Sequence, residues 1–148
     1  RDIQAVIETL APLPGAREFL DWLRPRFQPV IVSDTYYEFA MPLMKQLGHP
    51  TLFCHQLVVD AGGRVAGYKL RQPDSKREAV KALRALQFKV IAVGDSYNDT
   101  AMLAAAHAGI LHTPPDNVIA EFPQYPVTRT YDQLRETLLE VSQKIEKD

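Results

Sequence analysis

Three short runs with no polar residue, Val30-Ile31-Val32, Val90-Ile91-Ala92-Val93 and Ala108-Gly109-Ile110-Leu111, constrain this chain more than any other feature. A strand that is apolar at every position, rather than at every second one, is covered on both faces, as in parallel sheets with helices on either side. Around these runs lie segments whose apolar residues recur at helical spacing. They are Ala16, Phe19, Leu20 and Leu23 after Pro14-Gly15, and Tyr37, Ala40, Met41, Met44 and Leu47 before a capping Gly48. Ala79, Val80, Leu83 and Leu86 follow Pro73-Asp74-Ser75, and Ala101, Met102 and Leu103 follow the second run. Pro115 to Phe122 reads as a short helix, Pro126-Val127-Thr128 as a last short strand, and Tyr131 to Lys147 as an amphipathic closing helix. This alternation predicts an α/β fold with a doubly wound, mainly parallel, Rossmann-like sheet.

One stretch breaks the alternation. Leu57-Val58-Val59 and Val65-Ala66-Gly67-Tyr68 flank Asp60-Ala61-Gly62-Gly63-Arg64. Two β-rich runs around a glycine-containing turn predict a hairpin, here a flap over residues 55–70. The 148 residues are otherwise read as one domain with a single core. The chain starts at Arg1 and runs straight into Ile3, Val6, Ile7 and Leu10, spaced like one helix face. That start is read as a cut through a helix, with residues 1–12 the end of a helical cap.

Composition excludes several roles. A formal charge of −1 gives no basic excess for nucleic acid or an anionic membrane. No apolar run is long enough to span a bilayer, and nothing at the start reads as a signal peptide. Cys54, the one cysteine, excludes an intrachain disulfide and fits a reducing, cytoplasmic setting; after Thr51-Leu52-Phe53 it is expected to be a buried thiol.

The chemistry-bearing residues fall at the ends of the apolar runs. Right-handed crossovers gather the carboxyl ends of parallel strands on one edge, where open α/β sheets bind ligands. Ser33, Asp34, Asp95 and Asp99 are therefore expected to meet there. Ser33-Asp34-Thr35 reads as a helix start whose hydroxyl and backbone N–H groups suit an anion, or else as a simple N-cap. Lys76 falls in the first turn of the helix opened by Pro73-Asp74-Ser75, where a cation opposes the helix dipole and an anionic partner would explain it. Gly94-Asp95-Ser96-Tyr97-Asn98-Asp99 packs two carboxylates and an amide into one turn. Asp95 is the candidate ligand for a hard cation such as Mg2+, which takes one or two protein carboxylates and completes its shell with phosphate and water. Asp99 is a second ligand or an ion-pair partner for Lys76, and Asn98 a donor to phosphate or to Ser33. The same residues also make a plain capping cluster. His49, His55, His107 and His112 have no metal-like spacing and read as structural.

Ser33-Asp34-Thr35, then Lys76, then Gly94 to Asp99 resemble the second, third and fourth motifs of the haloacid dehalogenase superfamily of phosphatases. Within it, SDTYYEFAMPLMKQLGHPTLFCH, GYKLRQPDSKREAV, GDSYNDTAML and AHAGILHTPPDNVIAEFPQYP resemble the bacterial branch that hydrolyses phosphoserine and also transfers its phosphoryl group to homoserine. The resemblance covers essentially the whole chain. It implies that Ser33 binds the phosphoryl group with Asp34 and Thr35 beside it, that Lys76 neutralises it, and that Asp95 binds Mg2+. Asn98 and Asp99 would orient the phosphate-binding groups and Lys76. It further implies an aspartyl-phosphate intermediate, a place in serine biosynthesis, and a homodimer.

The superfamily's first motif, Asp-x-(Asp or Glu)-x-(Thr or Val), is absent from the sequence; Asp2 and Asp21 lie in helical patterns. That motif would supply the nucleophile and the central strand of the sheet. Without it, unpaired backbone groups would cost about 1–3 kcal/mol each where buried. The chain is thus read as a fragment of an enzyme, inactive alone. The rival reading is a noncatalytic phospho-ligand-binding or regulatory module; a domain of an ion-pumping ATPase fits poorly, because membrane spans are missing and the motifs lie close together.

Overall fold

The computed structural model describes residues 2–148; Arg1, where the reading of a cut helix begins, lies outside the described residues. The chain divides into two compact units, Arg1–Ser75 and Lys76–Asp148.

The first unit runs α1 (Asp2–Glu8), α2 (Ala16–Leu23), β1 (Val30–Tyr36), α3 (Tyr37–Gln46), β2 (Thr51–Val59) and β3 (Val65–Lys69). β1 and β2 are parallel, joined by α3 as a crossover helix. Beyond its parallel half, β2 pairs antiparallel with β3, so the expected hairpin is an extension of a core strand. Its loop closes through the Asp60 N–H to the Arg64 carbonyl (2.9 Å) and the Gly63 N–H to the Asp60 carbonyl (2.9 Å). Gly63 takes φ +78°, which glycine adopts without steric cost. The core here is small: Leu20, Ala40, Met44 and Cys54 are its buried apolar residues.

α3 contains Pro42 in its interior. A proline there has no N–H for the carbonyl four residues back, that of Glu38. The Gln4 side chain of α1 donates to that carbonyl instead, at 3.0 Å. The helix ends at Gly48 (φ +77°), with the His49 N–H returning to the Met44 carbonyl at 2.8 Å, the closure expected of a glycine after the C-cap.

The second unit runs α4 (Ser75–Ala85), β4 (Ile91–Gly94), a single 3₁₀ turn (Tyr97–Asp99), α5 (Thr100–Ala105), β5 (Ala108–His112), α6 (Asp116–Glu121), β6 (Val127–Thr128) and α7 (Tyr131–Lys147). Its three strands are all parallel, in the order β4-β5-β6. Ile110 and Leu111 on the middle strand have no exposed surface, and Leu103, Val118, Leu134 and Leu138 are buried with them from α5, α6 and α7. A continuously apolar β5 is what burial on both faces requires.

The strands form two three-stranded sheets, β1-β2-β3 and β4-β5-β6, and among the described residues β1 and β4 each have a hydrogen-bonded neighbour on one side only, in keeping with a sheet read as lacking its central strand. Two expectations need correction. Ser33-Asp34-Thr35 is not a helix start, because β1 continues to Tyr36 and α3 begins at Tyr37. Leu86, expected on the inward stripe of the helix, is 69% exposed; it lies just past α4, which stops at Ala85.

Candidate active site

In the second unit the site grows from the end of β4. After Gly94 the chain turns through Asp95 and Ser96 into the 3₁₀ turn, and Asp99 folds back over its own loop. Asp99 Oδ2 accepts the backbone N–H groups of Asp95 (3.0 Å) and Ser96 (3.2 Å). These are donors that a strand-to-helix turn leaves unpaired, so the carboxylate caps the turn. Its other oxygen, Oδ1, accepts from Lys76 Nζ at 2.8 Å. The capping cluster and the ion pair foreseen as alternatives are therefore one arrangement, with one oxygen for each task. The side chains are 19% (Lys76) and 8% (Asp99) exposed, so the pair is largely out of water.

Burial alone would raise the Asp99 carboxyl pKa; the Lys76 ammonium and the two backbone N–H groups outweigh it and hold the carboxyl below the usual range. The pair also explains a cation in the first turn of α4, since Asp99 supplies the negative charge that the dipole withholds. Gly94 makes the fold-back possible. A Cβ at Gly94 would meet Asp99 Cγ and Oδ2 at 2.8 Å each, well inside contact distance.

Asp95 and Asn98 are exposed on the outer side of this loop. Gly94 is in register with Leu111, so Asp95 follows beside His112. His112 Nδ1 lies 2.8 Å from Thr128 Oγ1 and its ring stacks on Tyr131. Burial lowers the His112 pKa, and the negative charge of Asp95 partly offsets this. Tyr97 is 47% exposed and packs edge-on against Phe122 at 5.5 Å, a rim position. His107 is structural: its Nδ1 accepts the Val90 N–H at 3.0 Å.

Among the described residues, no three His, Cys, Asp or Glu side chains cluster as a metal cage. The donor set fits a magnesium ion held openly: Asp95 is an exposed carboxylate at a strand end, and Asp99 is committed to Lys76. Magnesium seldom requires more than one or two protein oxygens when phosphate and water complete its octahedron.

Ser33, Asp34 and Thr35 belong to the first unit. Val32 is level with Phe53 and Tyr36 with His55, so the three residues bulge out opposite Cys54 alone. Bulges of this kind re-aim side chains and are frequent beside active sites. Ser33 Oγ accepts the Thr35 N–H at 3.2 Å, which leaves the hydroxyl proton to donate elsewhere. The Asp34 carboxylate faces His55 Nε2 at 3.5 Å. His55 is itself 5% exposed, and its Nδ1 accepts the Arg71 N–H at 3.0 Å. Arg71 is tied down by its own side chain, which donates to the Cys54 carbonyl (3.1 Å) and the Tyr37 hydroxyl (2.7 Å). Cys54 is buried as expected, and burial pushes its thiol pKa up. Nothing in the sequence spacing marked His55 as a neighbour of Asp34 or Arg71 as a neighbour of His55; the β1–β2 register sets the first and the return of the chain after β3 the second.

A family model described as haloacid dehalogenase-like hydrolase matches residues 1–107. The chain is 60% identical over 143 residues to the phosphoserine phosphatase ThrH of Pseudomonas aeruginosa, covering 97% of this chain and 70% of that protein. It is 59% identical over 143 residues to a phosphoserine phosphatase of Pseudomonas syringae pv. tomato, covering 97% of this chain and 60% of that one. The crystal structure of a phosphoserine phosphatase from T. onnurineus is similar at a TM-score of 0.70 and 26% identity, over 90% of this chain and 62% of that one. No helix among the described residues is long and apolar enough to cross a membrane.

Proposed function

We propose that this chain, which belongs to the haloacid dehalogenase-like hydrolase family, is the greater part of a magnesium-dependent phosphatase acting on phosphoserine. The observation that carries the reading is the Lys76–Asp99 pair beside Asp95: an ammonium fixed by a buried carboxylate, with an exposed carboxylate at the same strand end. That is the equipment for a phosphate monoester, which needs a fixed positive charge and a metal oxygen-ligand close together. The identity of 60% and 59% to two proteins named phosphoserine phosphatase supports the substrate.

Each residue has a share in that reading. Lys76, oriented by Asp99, neutralises the nonbridging oxygens of the phosphoryl group. Asp95 holds Mg2+, which when bound adds Lewis-acid charge to the same oxygens. Asn98 donates to the phosphate from the outer side of the loop. Ser33 gives its hydroxyl proton to a phosphate oxygen, with the backbone N–H groups of Asp34 and Thr35 beside it. The nucleophilic aspartate belongs to the first motif, and the chain spans 70% and 60% of its two relatives, which leaves length for that segment. Attack by that carboxylate on phosphorus breaks the serine O–P bond, serine leaves as the alcohol with a proton from the acid group of the same motif, and water or an acceptor alcohol then takes the phosphoryl group from the aspartyl-phosphate, so one hard displacement becomes two easier ones.

The same reading places the protein in the cytoplasm, in serine biosynthesis, as a homodimer, with homoserine as an alternative phosphoryl acceptor. The test is to supply the full gene product with phosphoserine and Mg2+, with and without homoserine, and measure free phosphate and phosphohomoserine. Phosphate release abolished by EDTA and restored by Mg2+ supports the reading; no turnover of phosphoserine under any of these conditions overturns it.

A further inference from the structure

We infer that Arg71 is a positioning residue for the phosphate-binding bulge of β1, acting through the hydroxyl of Tyr37; this rests on the reading of Ser33 as a phosphate donor. The β1–β2 ladder fixes one flank of the bulge at Val32, level with Phe53, and then passes over Ser33, Asp34 and Thr35. The other flank is the start of α3, where Tyr36 stands level with His55 and Tyr37 opens the helix. That start has no side-chain cap on its own backbone. Two side chains tie it to β2 instead. The Glu38 carboxylate accepts the Leu57 N–H at 3.0 Å. The Tyr37 hydroxyl donates to the Leu52 carbonyl at 2.9 Å and accepts from Arg71 Nη2 at 2.7 Å.

Arg71 reaches that hydroxyl already fixed at two points. Its backbone N–H goes to His55 Nδ1 (3.0 Å) and its Nε–H to the Cys54 carbonyl (3.1 Å). Cys54 and His55 are the β2 residues opposite the bulge and at the rung that closes it. The guanidinium carbon also lies 5.8 Å from the centre of the Tyr37 ring, close enough for a cation to be attracted to the π face. One side chain therefore joins β2 to the first residue of α3. The rigid guanidinium fork serves the Cys54 carbonyl and the Tyr37 hydroxyl together, which the single ammonium of a lysine does not. With both flanks held, the aim of the Ser33 hydroxyl is set before a phosphate arrives. Arg71 touches no reacting atom in this scheme.

Two substitutions cut the same link from opposite ends. Arg71→Lys keeps the charge and loses the fork; Tyr37→Phe keeps the ring and loses the hydroxyl. In the full gene product, each should raise the KM for phosphoserine and the inhibition constant of inorganic phosphate together, by about fivefold, the scale of one hydrogen bond. The double variant should be no worse than either single one, whereas independent effects would multiply to about 25-fold. A purely structural arginine would instead lower the melting temperature and, by reducing the active fraction, apparent kcat, with both constants unchanged. Unchanged constants in Arg71→Lys or in Tyr37→Phe, or a multiplied defect in the double variant, overturn the inference. Ser33→Ala, measured alongside, tests the underlying reading separately: an unchanged phosphate constant there removes Ser33 from the site, whatever Arg71 does.

Discussion

Lys76 Nζ sits 2.8 Å from Asp99 Oδ1 while Asp99 Oδ2 holds the backbone of the loop that presents Asp95. One side chain therefore couples the position of the cation to the shape of the acidic turn. Asp99→Asn keeps the size but removes the charge and leaves the Lys76 ammonium largely buried without it. The substitution should cost about 2–3 kcal/mol, less than a fully buried pair because Lys76 keeps some solvent. It should lower phosphoserine turnover by about 10²-fold through loss of oriented charge.

The pH dependence follows from the same pair. The Asp99 carboxyl is held below its ordinary value, so the unfolded chain binds its proton more readily. Its contribution is present in full above the unfolded carboxyl pKa of about 3.9 and is lost as pH falls through the lower folded value. Urea midpoints of the protein and of Asp99→Asn should therefore differ most above pH about 5 and converge as the pH drops below about 4. A gap that stays constant down to strong acid would show that the charge of Asp99 is not what stabilises the turn.

Gly94→Ala tests the loop geometry without touching a charge. The added methyl meets Asp99 Cγ and Oδ2 at 2.8 Å, so the carboxylate must move off its two N–H donors or off Lys76. Overpacking of this kind costs about 1–3 kcal/mol. Thermal melting should show the loss, and phosphate affinity should fall with it; unchanged values for both would mean the fold-back is softer than described.

Pro42 and Gln4 make a compensating pair. Gln4→Ala should cost about 0.5–1 kcal/mol, because it leaves the Glu38 carbonyl to water alone. In a Pro42→Ala background a backbone N–H returns at that position, and Gln4→Ala should then cost nothing measurable. A double-mutant cycle that closes additively would remove the link.

The elements of the second unit were legible almost residue by residue. An apolar run such as Ala108 to Leu111 has one stable place in a small α/β unit, the middle of a parallel sheet, and the chain puts it there. The start and end of α7 agree with the amphipathic pattern that predicts it. The bulge at Ser33 to Thr35 was not legible, because hydroxyl and carboxylate residues after a strand mark helix caps as readily as bulges, and only the β1–β2 register tells them apart. Leu86 failed for a related reason: periodicity continues past the residue where the helix stops. In the site, Lys76 was readable because a cation there opposes the helix dipole, whereas Asp99 suits a plain cap as well, so its pairing with Lys76 was one of the alternatives the sequence left open. His55 was not, since its nearness to Asp34 depends on the β1–β2 register.

The assignment of Asp95 as the metal oxygen is tested most directly by Asp95→Asn in the full gene product, with phosphoserine hydrolysis followed across a magnesium titration. Asp95 is exposed, so the melting temperature should not move. Turnover should fall by about 10²-fold or more, with the magnesium needed for half-maximal rate shifted upward. Turnover and magnesium dependence close to those of the unsubstituted protein would take Asp95 out of the site and contradict the account.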